Sequence, residues 1–472
     1  MVCESAGAVK TFQPLMAWID EVSQSVATGL MDQMTPAVRQ ALMTLEAMEA
    51  GVQAVMTAIG QAVVQRLIEA TPVRAIGRCG ECGSRLRLVD ARRPRIQTGI
   101  FGDYTIARAY YVCPAGHGTE VPLDRQLRLG SHQATPLLSR LITRYAIEVP
   151  FDQVADLLAE TTGRSLDGEV IRRIVEDVGT YAEQLEQAAI ASAADTVRLP
   201  AVPGGSTLIV AVDGAMVNTR RAGEQGWHEA KVGVCVRGEP QIACATDTGE
   251  PVWQSQTTDY CAGFEDREQF WPRVYAHALA MGLEDPSCQQ VVLMGDGAHW
   301  IWDHGPVHLR PPGKTWVETL DFYHATEHLW TVAHAVWPDD LQAATVWVNQ
   351  AAHGLKHAGF PGLADVWHTL PPGPAAARDV VDREARYFSY HASRMDYPTY
   401  IQMGLPIGSG MVESGCKTIV KERESGSGMR WQETGAQAMA TLRALHRSGR
   451  WETFWYHNPC CQLVPPRRRI AA

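Results

Sequence analysis

Three carboxylates in this chain stand where charge is costly. Thr207 to Val217 reads Thr-Leu-Ile-Val-Ala-Val-Asp-Gly-Ala-Met-Val, an apolar run that meets Asp213 and then Gly214. Gln290 to Gly297 repeats the arrangement as Gln-Val-Val-Leu-Met-Gly-Asp-Gly, with Asp296 in the same place. A near-continuous Val/Ile/Leu run predicts a strand buried on both faces. An ionised carboxylate there must be paired, solvated or metal-bound. Glu413 lies in Pro406-Ile-Gly-Ser-Gly-Met-Val-Glu-Ser-Gly-Cys-Lys417, which reads as a glycine turn opening a helix. Three carboxylates on two strands and a helix make a hard oxygen site suited to Mg2+ or Mn2+. A second candidate site is Cys79-Gly-Glu-Cys82 with Cys113-Pro-Ala-Gly-His117 about thirty residues later. Thiolates at i and i+3 around a glycine form a knuckle for one tetrahedral ion, and four protein ligands leave a zinc ion structural. A reduced thiol pair beside a surface histidine is the plainer alternative.

The elements that must position these groups follow from composition and periodicity. A chain of 472 residues exceeds one core, so two to four domains are expected. Hydrophobic content of 46% and charge of 20% fit an ordinary soluble protein. The sequence has no run of about 18 uninterrupted apolar residues and no signal-like start, so neither a membrane span nor secretion is expected and the location reads as cytoplasmic. Eleven irregularly spaced cysteines argue for thiols or metal ligands over a disulfide framework. A formal charge of −10 does not advertise nucleic acid, yet residues 71–150 hold twelve arginines against six acids.

Residues 1–70 read as a helical N-terminal segment, a hairpin or dimer-forming element, with Leu42, Leu45, Met48, Val52, Val55 and Ile59 at three- and four-residue steps. Residues 71–130 read as a basic, zinc-ribbon-like module whose strands include Arg85–Val89 and Tyr104–Val112. Residues 131–187 read as three helices, the first opened by Thr135-Pro136 and the second closed by Gly163. They suit a helix-turn-helix with Arg172 and Arg173 facing DNA, or a plain packing unit; the basic stretch before them favours DNA. Residues 188–206, rich in Ala, Pro and Gly, read as a linker.

From residue 207 the expected order is three strands (the second over Trp227–Arg237, the third from Gln241 toward Trp253), helix, strand, helix, strand. That is the order of an RNase H-like fold, so the fold class is multidomain α/β. In that fold the first and fourth strands are neighbours, which brings Asp213 to Asp296 across 83 positions. The core spans 207–336 and resumes at 406–450, with 337–405 an all-helical insertion and 451–472 a basic tail. Lys417 and Lys421, one and two turns beyond Glu413, face phosphates or are simply solvated. Trp431 after Arg430 stacks on an unpaired base or belongs to the core.

Taken in order, Val-Asp213-Gly, Gly-Asp296-Gly, Asp321-x-x-His324, Gly-Ser-Gly-Met-Val-Glu413-Ser and Met429-Arg430-Trp431 resemble bacterial insertion-sequence transposases of the ISKra group, which are related to Mutator-like transposases. The resemblance covers roughly residues 70–450. It implies that Asp213, Asp296 and Glu413 form a DDE triad, with Asp321 and His324 as an accessory pair. It also implies a front half that binds terminal inverted repeats, action on target DNA as a dimer or larger assembly, and association with the nucleoid. Two cations roughly 3.5–4 Å apart activate water and stabilise the leaving 3′ oxygen, after which the freed 3′ hydroxyl attacks target DNA. A catalytically idle, transposase-derived DNA-binding protein is the alternative. His324-Ala-Thr-Glu-His328 lacks the glutamate that a metalloprotease needs directly after its first histidine, and no Gly-x-Ser-x-Gly elbow or phosphate-binding P-loop occurs.

Overall fold

The computed structural model describes residues 28, 35–36, 40, 43–72, 77–193, 205–221, 224–245, 251–371, 374 and 377–457. Most of the expected helical segment before residue 43, the middle of the 188–206 linker and the tail beyond 457 lie outside them. The chain divides into two compact units, Met1–Pro122 and Leu123–Ala472.

In the first unit, helix α1 (Leu45–Ala70) starts at Thr44, whose hydroxyl accepts from the Ala47 amide. An antiparallel sheet follows, in the order β1 (Arg87–Thr98), β2 (Asp103–Val112), β3 (Thr119–Glu120). The Gln65 side chain pairs with β2 as a strand would: Thr105 N–H donates to its Oε1, and its Nε2 donates to the Thr105 carbonyl. Gln61 donates to the Asp103 carbonyl in the same way. The apolar side of α1 is left open, with Leu45, Val52, Met56, Val63 and Leu67 all exposed. By length and composition α1 is long and apolar enough to cross a membrane, although none of it is buried. The expectation of no such segment rested on counting uninterrupted apolar residues, and the interspersed Gln and Thr of α1 escape that count.

The second unit is built on a mixed sheet in the order β6 (Pro251–Gly263), β5 (Glu224–Ala245), β4 (Thr207–Arg221), β7 (Gln290–Gly295), β8 (Thr315–Leu320). Strand β4 runs antiparallel to β5 and parallel to β7, and β7 runs parallel to β8. The β5–β6 hairpin turns later than alternation suggested: Gln241–Ala245 extend β5, and the third strand is Pro251–Gly263. Leu208 to Val212 are fully buried, as a strand covered on both faces requires. Phe270, Trp271 and Val274 of α5 (Arg267–Ala280) and Ile301 and Trp302 of α6 (His299–Leu309) join them in one core.

Before the sheet come α2 (Pro136–Ala146), α3 (Phe151–Thr162) and α4 (Gly168–Ala193). Thr135 caps α2 with Pro136 in its first turn, and Gly163, at φ +66°, ends α3. Helix α4 runs past residue 188, and its buried face carries Ile171, Ile174, Val175, Val178 and Ala182. It crosses α12 (Glu433–Arg447) so closely that a Cβ on Gly179 would lie 2.6 Å from Ala438. These three helices therefore belong to the same compact unit as the sheet. Beyond β8, α7 (Phe322–Val336) leads into α8 (Leu341–Trp367), α9 (Ala377–Tyr390) and α10 (Tyr397–Gln402), the all-helical block expected there. The glycine turn then opens α11 (Gly410–Gly415), and the described residues end in α12 and α13 (Trp451–His457) after the short strand β9 (Trp431–Gln432).

Buried charge ties α4 to the sheet. Arg273, 1% exposed, meets Glu183 at 2.7 Å, Glu186 at 2.8 Å and Glu265 at 2.6 Å. His277 lies 2.7 Å from Asp259 and 2.9 Å from Glu186. Burial alone would lower the His277 pKa, but Asp259 and Glu186 outweigh it and hold the imidazolium up at about 9. A raised folded pKa stabilises fully below the unfolded value of 6.5, and that stability is lost as pH rises through about 9. Thirteen of the fourteen tryptophans lie in this unit, so their fluorescence reports its unfolding. Across that window the unfolding free energy should fall by up to about 3 kcal/mol, and His277→Gln should flatten the dependence. A wild-type protein equally stable at both ends of the window would refute the assignment.

Candidate carboxylate and metal sites

The parallel strands are in register, with Val212 opposite Gly295 and Gly295 opposite Leu320. The next residue on each is an aspartate, so Asp296 and Asp321 follow the ends of β7 and β8, and Asp213 stands level with them inside β4, which runs on to Arg221. Adjacent strands lie about 4.8 Å apart. Asp321, 1% exposed, is fully engaged by donors. Its Oδ1 accepts from the amides of Tyr323 (2.7 Å) and His324 (3.2 Å) at the start of α7. Its Oδ2 accepts from the Ser409 amide (2.9 Å) and the Ser409 hydroxyl. This carboxylate therefore fixes the glycine turn ahead of Glu413 to the end of β8, and the Phe322 amide bonded to the Ile407 carbonyl reinforces it. Asp321 works here as a cap for α7 and an anchor for the Ser409 turn.

Asp213 and Asp296 keep more of their oxygens free. Asp213 Oδ1 accepts from the Gly214 amide at 2.7 Å, and the Cys416 thiol lies 3.4 Å from its Oδ2. Asp296 Oδ1 accepts from the Ala298 amide at 2.9 Å. Glycine follows Asp296 because α9 leaves no room there. A Cβ on Gly297 would fall 2.1 Å from the Tyr387 ring and 2.6 Å from its hydroxyl.

Like charge crowds this end of the sheet. Burial raises the Asp296 pKa, and Asp213 and Glu229 add to it against the Ala298 amide and His324. Burial also raises Glu413, helped by Asp321, Asp213 and Glu327 and opposed by His324. Asp296 and Glu413 thus both lie within the field of Asp213. The three triad candidates do not close into a tight cluster, however. Among the described residues, the one group of three or more His, Cys, Asp or Glu with ligand atoms all within 4.8 Å of one another is the Cys/His group below.

Sequence reasoning missed what the helical insertion adds. His328, one turn after His324, has its Nδ1 2.6 Å from Glu384 and stacks on Tyr387 at 3.8 Å. The Tyr387 hydroxyl is buried with no hydrogen-bond partner, and burial plus the charge of Asp296 push its pKa well above the usual range. The His324/His328 spacing was a visible signal; Glu384 and Tyr387 come from a helix some sixty residues on and gave none.

The Cys79, Cys82, Cys113, His117 cluster can hold a metal ion such as zinc. Cys82 Sγ lies 3.6 Å from Cys113 Sγ, and His117 Nδ1 lies 3.9 Å from Cys79 and 3.7 Å from Cys113. Tetrahedral edges around zinc, with Zn–S about 2.3 Å, are about 3.8 Å. Each half is a tight turn: Cys79 N–H bonds to the Ser84 carbonyl, Cys113 N–H to the Gly118 carbonyl, and Gly83 and Gly116 sit at φ +69° and +81°. The hydroxyl and amide of Ser84 bring Cys82 down to about 6, and the Cys82 and Glu81 amides lower Cys79. The His117 amide lowers Cys113, but burial and the neighbouring sulfurs outweigh it; His117 itself is raised by Cys82 and then Cys79.

The expected DNA contacts fare unevenly. Arg172 does not face outward freely: its guanidinium bonds Glu169 at 2.6 and 2.8 Å and also Glu176. Arg173 is exposed and bonds Glu169 at 2.9 Å. Trp431 is a packed residue, 7% exposed, with Phe151 at its edge, Arg423 over its face and its Nε1 on the Glu424 carbonyl. It is not available to stack on a base as placed. Lys417, Lys421 and Arg430 are exposed. Cys416–Lys421 is π-helical, so the two lysines do not continue a simple four-residue ladder from Glu413. No family model matches this chain, and no curated protein matches it.

Two outcomes follow from these geometries. Ionisation of a carboxylate with a raised folded pKa opposes folding at neutral pH, and the penalty fades as pH falls through that pKa. Asp296→Asn keeps the acceptor for Ala298 and deletes the charge, so without added divalent cation the melting temperature should rise by a few degrees; a lowered one would contradict the crowding. For the sulfur site, metal analysis of Cys79→Ser should find one zinc equivalent fewer per chain, and unchanged zinc would remove Cys79 from the ligand set.

Proposed function

We propose that this chain is a DNA transposase of an insertion sequence, a metal-dependent DDE enzyme that cleaves and joins DNA strands at terminal inverted repeats. The supporting observation is the register of the parallel strands, which brings Asp213, inside β4, level with Asp296 at the end of the neighbouring β7, while Glu413 shares the field of Asp213. On this reading the sheet order β6-β5-β4-β7-β8, with β5 antiparallel, is an RNase H-like core, and α8 to α10 are its helical insertion. Asp213, Asp296 and Glu413 would hold Mg2+ or Mn2+. Such cations activate a water and stabilise the leaving 3′ oxygen. Asp321 supplies position, holding α7 and the glycine turn so that His324 and Glu413 flank the aspartates.

The Cys/His cluster on its β-hairpin is read as a zinc ribbon, and the excess of arginine over acid in residues 71–150 as suited to the phosphates of the element's ends. The exposed apolar side of α1 suits association of two or more subunits on paired DNA ends. The test is strand nicking of a supercoiled plasmid that carries the gene with its flanking DNA. Wild-type protein should nick it in Mg2+ or Mn2+, and Asp213→Ala, Asp296→Ala and Glu413→Ala should each lose about a hundredfold or more. Nicking indifferent to all three substitutions would defeat the triad.

A further inference from the structure

A cleft of about 620 Å3 opens where the helices α3 and α4 begin, against the segment that follows Glu413. Phe151 and Trp431 form aromatic walls, and Arg172, Arg220, Arg423 and Arg430 line it. Arg423 is the unusual member. It is 2% exposed, yet one guanidinium nitrogen, Nη2, has no hydrogen-bond partner. Its Nε donates to the Ala146 carbonyl at 2.8 Å, and the cation lies over the rings of Phe151 (4.9 Å) and Trp431 (5.1 Å). A buried donor without an acceptor is costly, and a buried cation without a counter-charge more so. The neighbouring acid does not serve: both oxygens of Glu424 are buried without partners, and burial raises its pKa well above the usual range. Three acids line the cleft, but Glu169 and Glu176 are engaged by Arg172, which leaves Asp152 against Arg220, Arg423 and Arg430.

We propose that this cleft is a subsite for the phosphate backbone of a DNA strand, with Arg423 as its fixed floor and Arg220 and Arg430 as exposed arms. The inference rests on the nuclease reading and adds where the strand is held away from the carboxylates. Thr219 and Arg220 pair with Trp431 and Gln432 at the far end of β4 from the core register. At about 3.3 Å per residue they stand ~20 Å along the strand from Asp213, a span of about six nucleotides. Planar guanidinium forks on aromatic faces suit phosphate oxygens better than point charges do.

The test measures binding of fluorescein-labelled mixed-sequence DNA, duplex and single-stranded, across a salt series. It is run beside plasmid nicking, with ATP and pyrophosphate as competitors. The Arg220→Ala/Arg430→Ala double variant should bind about tenfold more weakly and lose about two from the slope of log affinity against log salt, with an unchanged melting temperature. Arg423→Gln should act in the same direction; if it fails to fold, the exposed double variant still decides. Unaltered affinity and slope in that variant, beside wild-type nicking that requires Asp213, would overturn the subsite and leave the nuclease intact. ATP binding abolished by the double variant, with DNA affinity unchanged, would give the cleft to a free nucleotide and also overturn it. A wild-type protein that neither binds nor nicks DNA would remove both readings.

Discussion

The Asp321 carboxylate joins the end of β8, the first turn of α7 and the Ser409 turn in one buried knot. Burying a carboxylate is costly, and four donors around two oxygens are what make it tolerable here. The two ends of the Asp321–Ser409 contact are 88 residues apart in sequence, with the whole helical insertion between them. Closing so long an excursion at a strand end lets the helix bearing Glu413 return beside Asp213. The insertion packs into the same core as the sheet, with Trp347 meeting Trp337 and Trp367.

Electrostatic strain and electrostatic support are kept apart in this unit. Beside the C-terminal ends of β7 and β8, Asp213 adds its charge to that of Asp296 and Glu413, and both are pushed upward in pKa, burial being the larger cause. Around α4, α5 and β6, opposite charges are matched: Arg273 and His277 are enclosed by Glu183, Glu186, Glu265 and Asp259. Burial raises Glu186 and Asp259, yet the cations outweigh it and bring both to about 2. Like charges held together suit a site built for cations, and matched charges suit a scaffold.

What was legible in the sequence was what local pattern dictates. The apolar runs ending in Asp-Gly became β4 and β7, Thr135-Pro136 opened a helix, and the residues before Glu413 formed a turn. The four metal-ligand candidates of the first unit were legible too, because thiolate and glycine spacing is itself the knuckle. What was not legible depends on partners distant in the chain. Gly297 is small because Tyr387 arrives from α9, and Trp431 is covered by Phe151 from α3. The end of β5 and the length of α4 were misjudged because alternation and composition fix an element's type better than its end.

The proposed function requires Asp213, Asp296 and Glu413 to share divalent cations. Anomalous scattering from crystals of the protein with Mn2+ tests it directly. Manganese peaks are expected between Asp213 in β4 and Asp296 at the end of β7, within about 2.2 Å of oxygens of both aspartates, with Glu413 on the same ions. Manganese absent from that side of the sheet, or bound there without an oxygen of Glu413 among its ligands, would contradict it.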